Sequence, residues 1–107
     1  MLAEAMNENG KTAQAIPYLN QIHTRAGLTA YETTMTQAAT RDAIVLERRL
    51  ELSFEGHRWF DLVRTGRALT VMASTGMKPN NVVFPIPLRE IQVINDATIF
   101  PQNEGYD

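Results

Sequence analysis

Two glutamates near the middle of the chain, Glu51 and Glu55, are the residues whose type and spacing most directly suggest chemistry. Paired carboxylates carry out glycoside hydrolysis, one as a general acid and the other as a nucleophile or base. A spacing of four residues places both on one face of a helix, whereas a catalytic pair flanks its substrate from different elements. We therefore expect these glutamates to pair with arginines, and we predict no catalytic residue.

The two glutamates belong to a charged stretch, Glu47 to Arg64, that also contains the only tryptophan. Six of the ten basic residues lie between Arg41 and Arg67, and all six are arginines. Because the planar guanidinium forms bidentate pairs with carboxylates, it tolerates partial burial. The stretch therefore predicts a structural network of ion pairs. Three-residue spacing indicates two candidate pairs, Arg48 with Glu51 and Glu55 with Arg58.

Trp59 and Arg58 are the candidate ligand-binding residues, because an indole beside a guanidinium can stack on a sugar ring or another flat ligand. The alternative is that Trp59 packs between the long helix and the segment after it, with Phe60 on the core side. We favour packing, since large aromatic side chains are mostly buried.

The composition argues against several other functions. The chain has 107 residues, a net charge of -2 and no cysteine, which excludes disulfides, thiol catalysis and thiolate metal sites. The two histidines have no neighbouring third ligand, so no metal site is predicted, and we expect His23 on a helix surface. Without a phosphate-binding glycine loop, nothing indicates a cofactor. Without a basic patch interleaved with aromatic residues, no nucleic-acid partner is expected.

Apolar residues at helical spacing predict a mainly α-helical fold that begins with a tetratricopeptide-like helical hairpin over residues 1–28. Its first helix covers Leu2 to Asn9 and ends at Gly10. The second helix has Thr12 as its N-cap and ends at Gly27. The apolar stripe of the second helix should face the first. Its members are Ala15, Leu19, Ile22 and Ala26.

A long helix followed by shorter ones is predicted over residues 36–73, with Thr36 as the N-cap. Gly56 should bend or end the long helix, and a shorter helix through Trp59 should stop at Gly66. The stripe that should form the buried face of the long helix consists of Ala39, Ala43, Leu46, Leu50 and Phe54.

The last part of the chain, residues 82–107, is predicted to be extended and irregular. Val82 to Pro87 should be extended, since each of its prolines disfavours a helical conformation in the preceding residue. Leu88 to Val93 could form a short helix, and Asn95 to Asp107 should be irregular.

The eighteen residues from Glu47 to Arg64 closely resemble the C-terminal signature of the SusD/RagB family. Residues 13–28 look like the helix that precedes this signature in the family. Glu104 and Asp96 depart from the family pattern, which usually has proline at both positions. Two later segments are also similar to family motifs: Phe84-Pro85-Ile86-Pro87 followed by Arg89-Glu90-Ile91, and Gln102-Asn103-Glu104-Gly105-Tyr106.

The resemblance implies that the chain is the C-terminal part of a SusD-like domain. Full-length members are helical outer-membrane lipoproteins of Bacteroidetes that sit on a SusC-like, TonB-dependent transporter and bind glycans or other nutrients for uptake. They are binding proteins and not enzymes. By this comparison, a structural signature holds the C-terminal helices together. It consists of Glu47, Arg48, Glu51, Glu55, Gly56, Arg58, Trp59, Asp61 and Arg64.

A tetratricopeptide-like protein-interaction module, with a peptide in the groove between its helices, is the alternative function. As part of a longer, lipid-anchored protein, the chain should be soluble by itself, because no apolar run approaches the roughly 20 residues that cross a bilayer. It should also expose apolar surface and self-associate.

Overall fold

A computed structural model describes residues 1–106, and its regular elements are helices. No strand occurs among these residues, which confirms the prediction of a mainly α-helical fold. Two short 3₁₀ turns cover Ala73–Thr75 and Pro79–Val82. The α-helices of the described residues are α1 (Leu2–Glu8), α2 (Thr12–Arg25), α3 (Gln37–Glu51), α4 (Arg58–Arg64), α5 (Ala68–Val71) and α6 (Leu88–Ile94).

The chain divides into two compact units, an N-terminal unit (Met1–His57) and a C-terminal unit (Arg58–Asp107). The N-terminal unit contains α1 to α3, and the C-terminal unit contains α4 to α6. The assignment of residues 1–28, 36–73 and 82–107 to successive parts of a SusD-like domain stays a prediction.

The hairpin of α1 and α2 turns at Gly10, whose φ of +74° gives α1 the left-handed end that the sequence predicts. The predicted N-cap of α2 was wrong by one residue. Lys11 is the N-cap and Thr12 is the first helical residue. The Thr12 hydroxyl donates instead to Oδ1 of Asn7, 2.9 Å away, so it joins the two helices rather than capping one.

Asn7 is a fully buried polar residue at the meeting point of all three helices of this unit. Its Nδ2 donates to the carbonyl of Gln37 at 3.0 Å, and the Gln37 side chain donates to the Asn7 carbonyl at 2.6 Å. Because Thr12 of α2 also bonds to it, Asn7 links α1, α2 and the start of α3. A buried amide without such partners would destabilise the fold.

The apolar core of the N-terminal unit lies between α2 and α3. Leu19 from α2 packs with Ala43 and Ile44 from α3, and all three are buried. Ala15 and Ile16 are fully buried on the same helix as Leu19. The partly buried Ala3, Tyr31 and Met35 pack against the cluster of Leu19, Ala43 and Ile44.

Thr36 caps α3 as predicted, since its hydroxyl accepts a hydrogen bond from the amide of Ala39 at 3.2 Å. The predicted buried face was largely wrong. Leu46 and Leu50 are 48% and 58% exposed, and Phe54 lies beyond the end of the helix, fully exposed. α3 carries apolar residues on two adjoining faces, and the face that includes Ile44 packs inward. The buried residues of α3 are Thr40, Ala43, Ile44 and Glu47.

The turn after α3 has two residues in the left-handed region. Gly56 has a φ of +77°, and it lies in the turn rather than at the helix end, because α3 stops at Glu51. Phe54 has a φ of +68°, which is unusual for a bulky side chain. The turn therefore holds an aromatic residue out into solvent at some conformational cost.

The C-terminal unit has few buried apolar side chains. Leu62 of α4 and Ala68 of α5 are the fully packed ones among its described residues. Phe60 is 69% exposed, so its predicted place on the core side was wrong. Val82 ends a 3₁₀ turn and the extended segment starts at Val83, one residue later than predicted.

Candidate functional site

The predicted signature residues are divided between the two units. Residues 47–56 belong to the N-terminal unit, whereas Arg58, Trp59, Asp61 and Arg64 lie on α4 of the C-terminal unit. Each group has its own surroundings, and the two are described separately below.

Glu47 is a buried carboxylate whose partner is a histidine. Its Oε2 lies 2.8 Å from Nδ1 of His23, and the two side chains are only 7% and 13% exposed. His23 also stacks on the ring of Tyr31, with ring centroids 4.3 Å apart. The expected surface position of His23 was therefore wrong. Sequence spacing gave no sign of this pair, because its members are on different helices, 24 residues apart.

Tyr31 is fixed beside this pair by the side chain of Asn20. The amide of Tyr31 donates to Asn20 Oδ1 at 2.8 Å, and Asn20 Nδ2 donates to the Tyr31 carbonyl at 2.9 Å. Burial, together with the nearby Glu47 carboxylate, raises the pKa of the Tyr31 phenol above its ordinary value of 10.0. His23, Tyr31 and Glu47 thus form one packed cluster that ties the connector after α2 to α3.

Glu51 pairs with Arg25 of α2 across a distance of 2.5 Å. The sequence predicted Arg48 as its partner, from the same helix, and could not identify an arginine 26 residues away. Because the Arg25 side chain is 69% exposed, solvent screens the pair, and its contribution to stability is on the order of 0–1 kcal/mol. Nη1 of Arg48 donates to the sulfur of Met1 at 3.3 Å.

A groove of about 380 Å³ lies between α1, α2 and α3, above the apolar core. Arg25 and Glu51, which pair with each other, are among the residues that line it. An apolar groove lined also by a few charged groups can accept an apolar side chain or a small ligand. Its apolar lining includes Leu2, Tyr18, Leu19, Ile22, Ile44 and Leu52.

On α4, Nε of Arg64 donates to Oδ1 of Asp61 at 2.8 Å, a contact between residues three apart on the helix. Arg58 and Trp59 are half-buried at the start of the same helix. Their proposed contact with a ligand stays a prediction, and so does the role of the signature residues in holding the C-terminal helices together.

The closing residues of the C-terminal unit form what we term the tail clamp, in which side chains of Gln102, Asn103 and Tyr106 bond to the backbone of residues 80–86. Gln102 accepts from the amide of Ile86 at 2.7 Å and donates to its carbonyl at 3.0 Å. Asn103 donates to the carbonyl of Phe84 at 2.7 Å, and Tyr106 donates to that of Val83 at 2.9 Å. The clamp was not foreseen, although its residues belong to the segments that resemble family motifs.

Gly105 allows the tail clamp to close. Its φ is +85°, and a Cβ at this position would lie 2.8 Å from Cβ of Asn80. Asn80 Nδ2 donates to the Gly105 carbonyl at 3.2 Å, so the two segments of the chain are in direct contact. A cavity of about 530 Å³ beside this contact is lined in part by Lys78 and Glu104.

Two other classes of site are absent from residues 1–106. No group of three or more histidine, aspartate or glutamate side chains is arranged to hold a metal ion. No helix in this part of the chain combines the length and the apolar character that a membrane span needs.

Comparison with known proteins identifies the class. Residues 1–77 match the model of the SusD family, and the chain belongs to that family. It is 37% identical to SusD-like protein P25 of Formosa agariphila, over 99% of this chain and 23% of that protein.

Two further proteins of the same organism are similar. SusD-like protein P38 is 36% identical over 83% of this chain and 20% of its own length. SusD-like protein P2 is 29% identical over 97% of this chain and 23% of its own length. The chain therefore spans less than a quarter of these curated relatives. No solved structure gave a significant match.

Proposed function

We propose that the chain is the C-terminal scaffold portion of a SusD-like protein that binds glycans or other nutrients at the outer membrane. The observation that carries this proposal is the family match over residues 1–77, together with the similarity of SusD-like proteins to nearly the whole chain. In the longer protein, the bound nutrient passes to a SusC-like, TonB-dependent transporter, and a lipid anchors the protein to the membrane.

The scaffold role within this proposal is supported by how the charged residues are used. Glu47 is buried against His23, and Glu51 is paired with Arg25. Carboxylates held in such pairs stabilise helix packing and are poorly placed to act on a substrate. The proposal is therefore binding without turnover, and it assigns no catalytic residue.

Calorimetry of the full-length protein against a panel of oligosaccharides tests the nutrient-binding proposal. We expect heat of binding for at least one sugar and no release of reducing ends on prolonged incubation. If no sugar in the panel bound, the proposal that the bound nutrient is a glycan would be wrong. Co-purification of the tagged full-length protein with an outer-membrane transporter tests the proposed partner separately.

The candidate ligand contacts at Trp59 and Arg58 are tested in the same protein. If Trp59 contacts the ligand, Trp59→Ala should weaken binding at least tenfold with little change in melting temperature. If Trp59 instead packs within the protein, Trp59→Ala should lower the melting temperature, and the folded variant should keep its affinity for the ligand. Phe60→Ala is a matched control, because Phe60 is the adjacent aromatic residue and is 69% exposed.

A tetratricopeptide-like interaction module is the second candidate, and the groove of about 380 Å³ between α1, α2 and α3 favours it. An apolar groove between helices accepts the apolar face of a peptide. A pull-down that recovers soluble peptides, and in which Ile22→Glu abolishes recovery, would support this candidate. Recovery of an outer-membrane transporter instead would support the nutrient-uptake proposal.

A further inference from the structure

The turn between α1 and α2 contains two adjacent residues that can react with each other. Asn9 is followed by Gly10, whereas every other asparagine of the chain precedes a residue with a side chain. Because glycine has no side chain to shield its backbone nitrogen, that nitrogen can attack the side-chain amide of a preceding asparagine. Asn9 and Gly10 are both exposed to solvent. The pair therefore has the chemistry that asparagine deamidation requires.

The reaction uses only these two residues and water. The Gly10 nitrogen loses its proton and bonds to Cγ of Asn9, the bond from Cγ to Nδ2 breaks, and ammonia leaves. Water then opens the resulting succinimide ring. Attack at Cγ gives aspartate, and attack at the backbone carbonyl gives isoaspartate, whose main chain is one carbon longer. Because no partner molecule takes part, the site does not depend on what covers the neighbouring surfaces in a longer protein.

The folded turn keeps the reacting groups apart. Asn9 has a ψ of 16°, which nearly eclipses the Gly10 nitrogen with the backbone nitrogen of Asn9 and turns it away from the Asn9 side chain. The Gly10 amide donates to the Asn7 carbonyl at 3.1 Å, and Nδ2 of Asn9 donates to the Ala5 carbonyl at 2.7 Å. Ring closure therefore requires rotation about ψ and loss of the Gly10 hydrogen bond, since this bond uses the proton that the reaction removes.

We propose that Asn9 is a site of spontaneous deamidation that is closed in the folded protein and reacts when the hairpin of α1 and α2 opens locally. A second backbone bond closes the turn, from the Lys11 amide to the Met6 carbonyl at 2.9 Å. The bond from the Thr12 hydroxyl to the side chain of Asn7 joins the two helices next to it. Local opening breaks these bonds without unfolding the whole protein. The rate of modification therefore rises with the fraction of time that the hairpin is open.

The two products differ in their effect on the turn. Aspartate keeps the length of the backbone, loses the donor to the Ala5 carbonyl and adds a negative charge at the C-terminal end of α1, where the helix dipole disfavours it. Isoaspartate adds a carbon to the main chain between Met6 and Lys11, so the bonds from the Gly10 and Lys11 amides cannot both keep their geometry. The isoaspartate product should therefore leave the hairpin open.

Peptide mapping by mass spectrometry, during incubation of the 107-residue chain in mildly alkaline buffer, tests the site. In urea, Asn9 should deamidate faster than any other asparagine of the chain. An unstructured peptide of residues 5–14 gives the rate without the fold, and the folded chain should react about tenfold more slowly or less than that. If Asn9 reacts no faster than Asn81 in urea, the site is wrong. Equal rates in the folded chain and the peptide would overturn the closed state.

A pair of isoleucine substitutions tests whether opening of the hairpin sets the rate. Ile16→Ala removes a fully buried side chain from α2 and should raise the Asn9 rate about fivefold or more. Ile99→Ala is the matched control in the other unit, where the side chain is 74% exposed, and it should leave the rate unchanged. Should Ile16→Ala fail to fold, Thr12→Val is a milder variant that removes the hydroxyl bond to Asn7 and should also raise the rate. Equal rates in the wild type and the folded N-terminal variant would overturn the proposal.

Hydrogen exchange measures the effect of each product on the turn. In the isoaspartate form, isolated by ion exchange, the Lys11 amide should lose protection. Asn9→Asp reproduces the aspartate product without the longer backbone, and its Lys11 amide should remain protected. A protected Lys11 amide in the isoaspartate form would show that the modified hairpin still closes and overturn the predicted opening.

Discussion

The two units of this chain are stabilised in different ways. The N-terminal unit packs apolar side chains such as Ile16, Leu19 and Ile44 between helices. The C-terminal unit buries Leu62 and Ala68, and much of its remaining structure is held by side chains that bond to backbone groups. A short chain can therefore order one region through packing and another through hydrogen bonds, although the second route tolerates fewer lost contacts.

The same hydrogen-bonding pattern occurs in both units and illustrates this difference. A carboxamide bonds to both backbone groups of one distant residue, in Asn20 with Tyr31 and in Gln102 with Ile86. In the N-terminal unit, this pattern positions Tyr31, which already packs against the apolar core. In the C-terminal unit, it provides much of the contact between the tail and the extended segment.

The largest expected effect comes from the apolar core. Ile16→Ala removes a fully buried side chain from α2 and should lower the free energy of unfolding of the N-terminal unit by about 2–5 kcal/mol. Urea denaturation followed by circular dichroism measures the loss. Ile99→Ala is the control in the C-terminal unit, where the side chain is 74% exposed and the change should stay within about 0.5 kcal/mol. Equal losses would remove the distinction between the units.

The second-largest effect on stability is expected from loss of the buried side-chain amide of Asn7. Asn7→Ala leaves the Gln37 carbonyl and the Thr12 hydroxyl without their partner, at a cost of about 1–3 kcal/mol. Asn9→Ala removes one exposed side-chain bond, to the carbonyl of Ala5, and should have little effect. Thermal denaturation of both variants compares them, and similar melting temperatures would argue against Asn7 as a structural link.

Gly105→Ala should open the tail clamp and leave the N-terminal unit intact. The added Cβ meets Asn80 at 2.8 Å in a left-handed backbone, so the C-terminal unit should lose about 1–3 kcal/mol. Hydrogen exchange should show a deprotected Ile86 amide and an unchanged Tyr31 amide.

Gly76→Ala is the matched control for this substitution. Gly76 has a φ of +75° but nothing within 4 Å of the added Cβ, so only the conformational cost of about 1–2 kcal/mol applies. In Gly76→Ala, the Ile86 amide should stay protected from hydrogen exchange. If Ile86 exchanges equally fast in both variants, the close approach to Asn80 is not what requires glycine at position 105.

The smallest effect is a response of the C-terminal unit to acid. The Thr98 hydroxyl and amide donate to Asp96, and these bonds hold the pKa of the Asp96 carboxyl below its ordinary value of 3.8. A depressed pKa contributes stability above the unfolded value, and this is lost as the pH falls through the folded value. The turn after α6 should therefore loosen only in strong acid.

NMR titration of the Asp96 carboxyl carbon measures this effect. Thr98→Ala removes the hydroxyl bond and should bring the pKa closer to 3.8. The amide of Thr98 should lose protection over the same pH range, whereas the Tyr31 amide should keep it. An Asp96 pKa that does not change in Thr98→Ala would contradict the hydrogen-bond explanation.

Local features of the fold could be predicted from sequence because their causes are local. The cap at Thr36 and the left-handed end at Gly10 depend on a few adjacent residues, and both are present. The face of α3 that packs inward could not be predicted. Two adjoining faces are apolar, and the partner helices select the one with Ile44.

The charged and polar contacts were harder to predict for the same reason. The partners of Glu47 and Glu51 come from α2, 24 and 26 residues away. Spacing within one helix identified Glu47 and Glu51 as paired carboxylates, but it could not identify their partners, His23 and Arg25. The buried, linking role of Asn7 could not be predicted at all, because an asparagine in a short helix usually lies on the surface of the helix.

The order in which the tail clamp is synthesised affects how the protein folds on the ribosome. Residues 80–86 leave the exit tunnel before residues 102–106, which complete their hydrogen bonds. Residues 1–57, which form the N-terminal unit, leave the tunnel earlier, and domains generally fold in order of synthesis. The nascent chain should therefore contain a folded helical unit followed by an unpaired extended segment, which chaperones and proteases can reach until Tyr106 has left the exit tunnel.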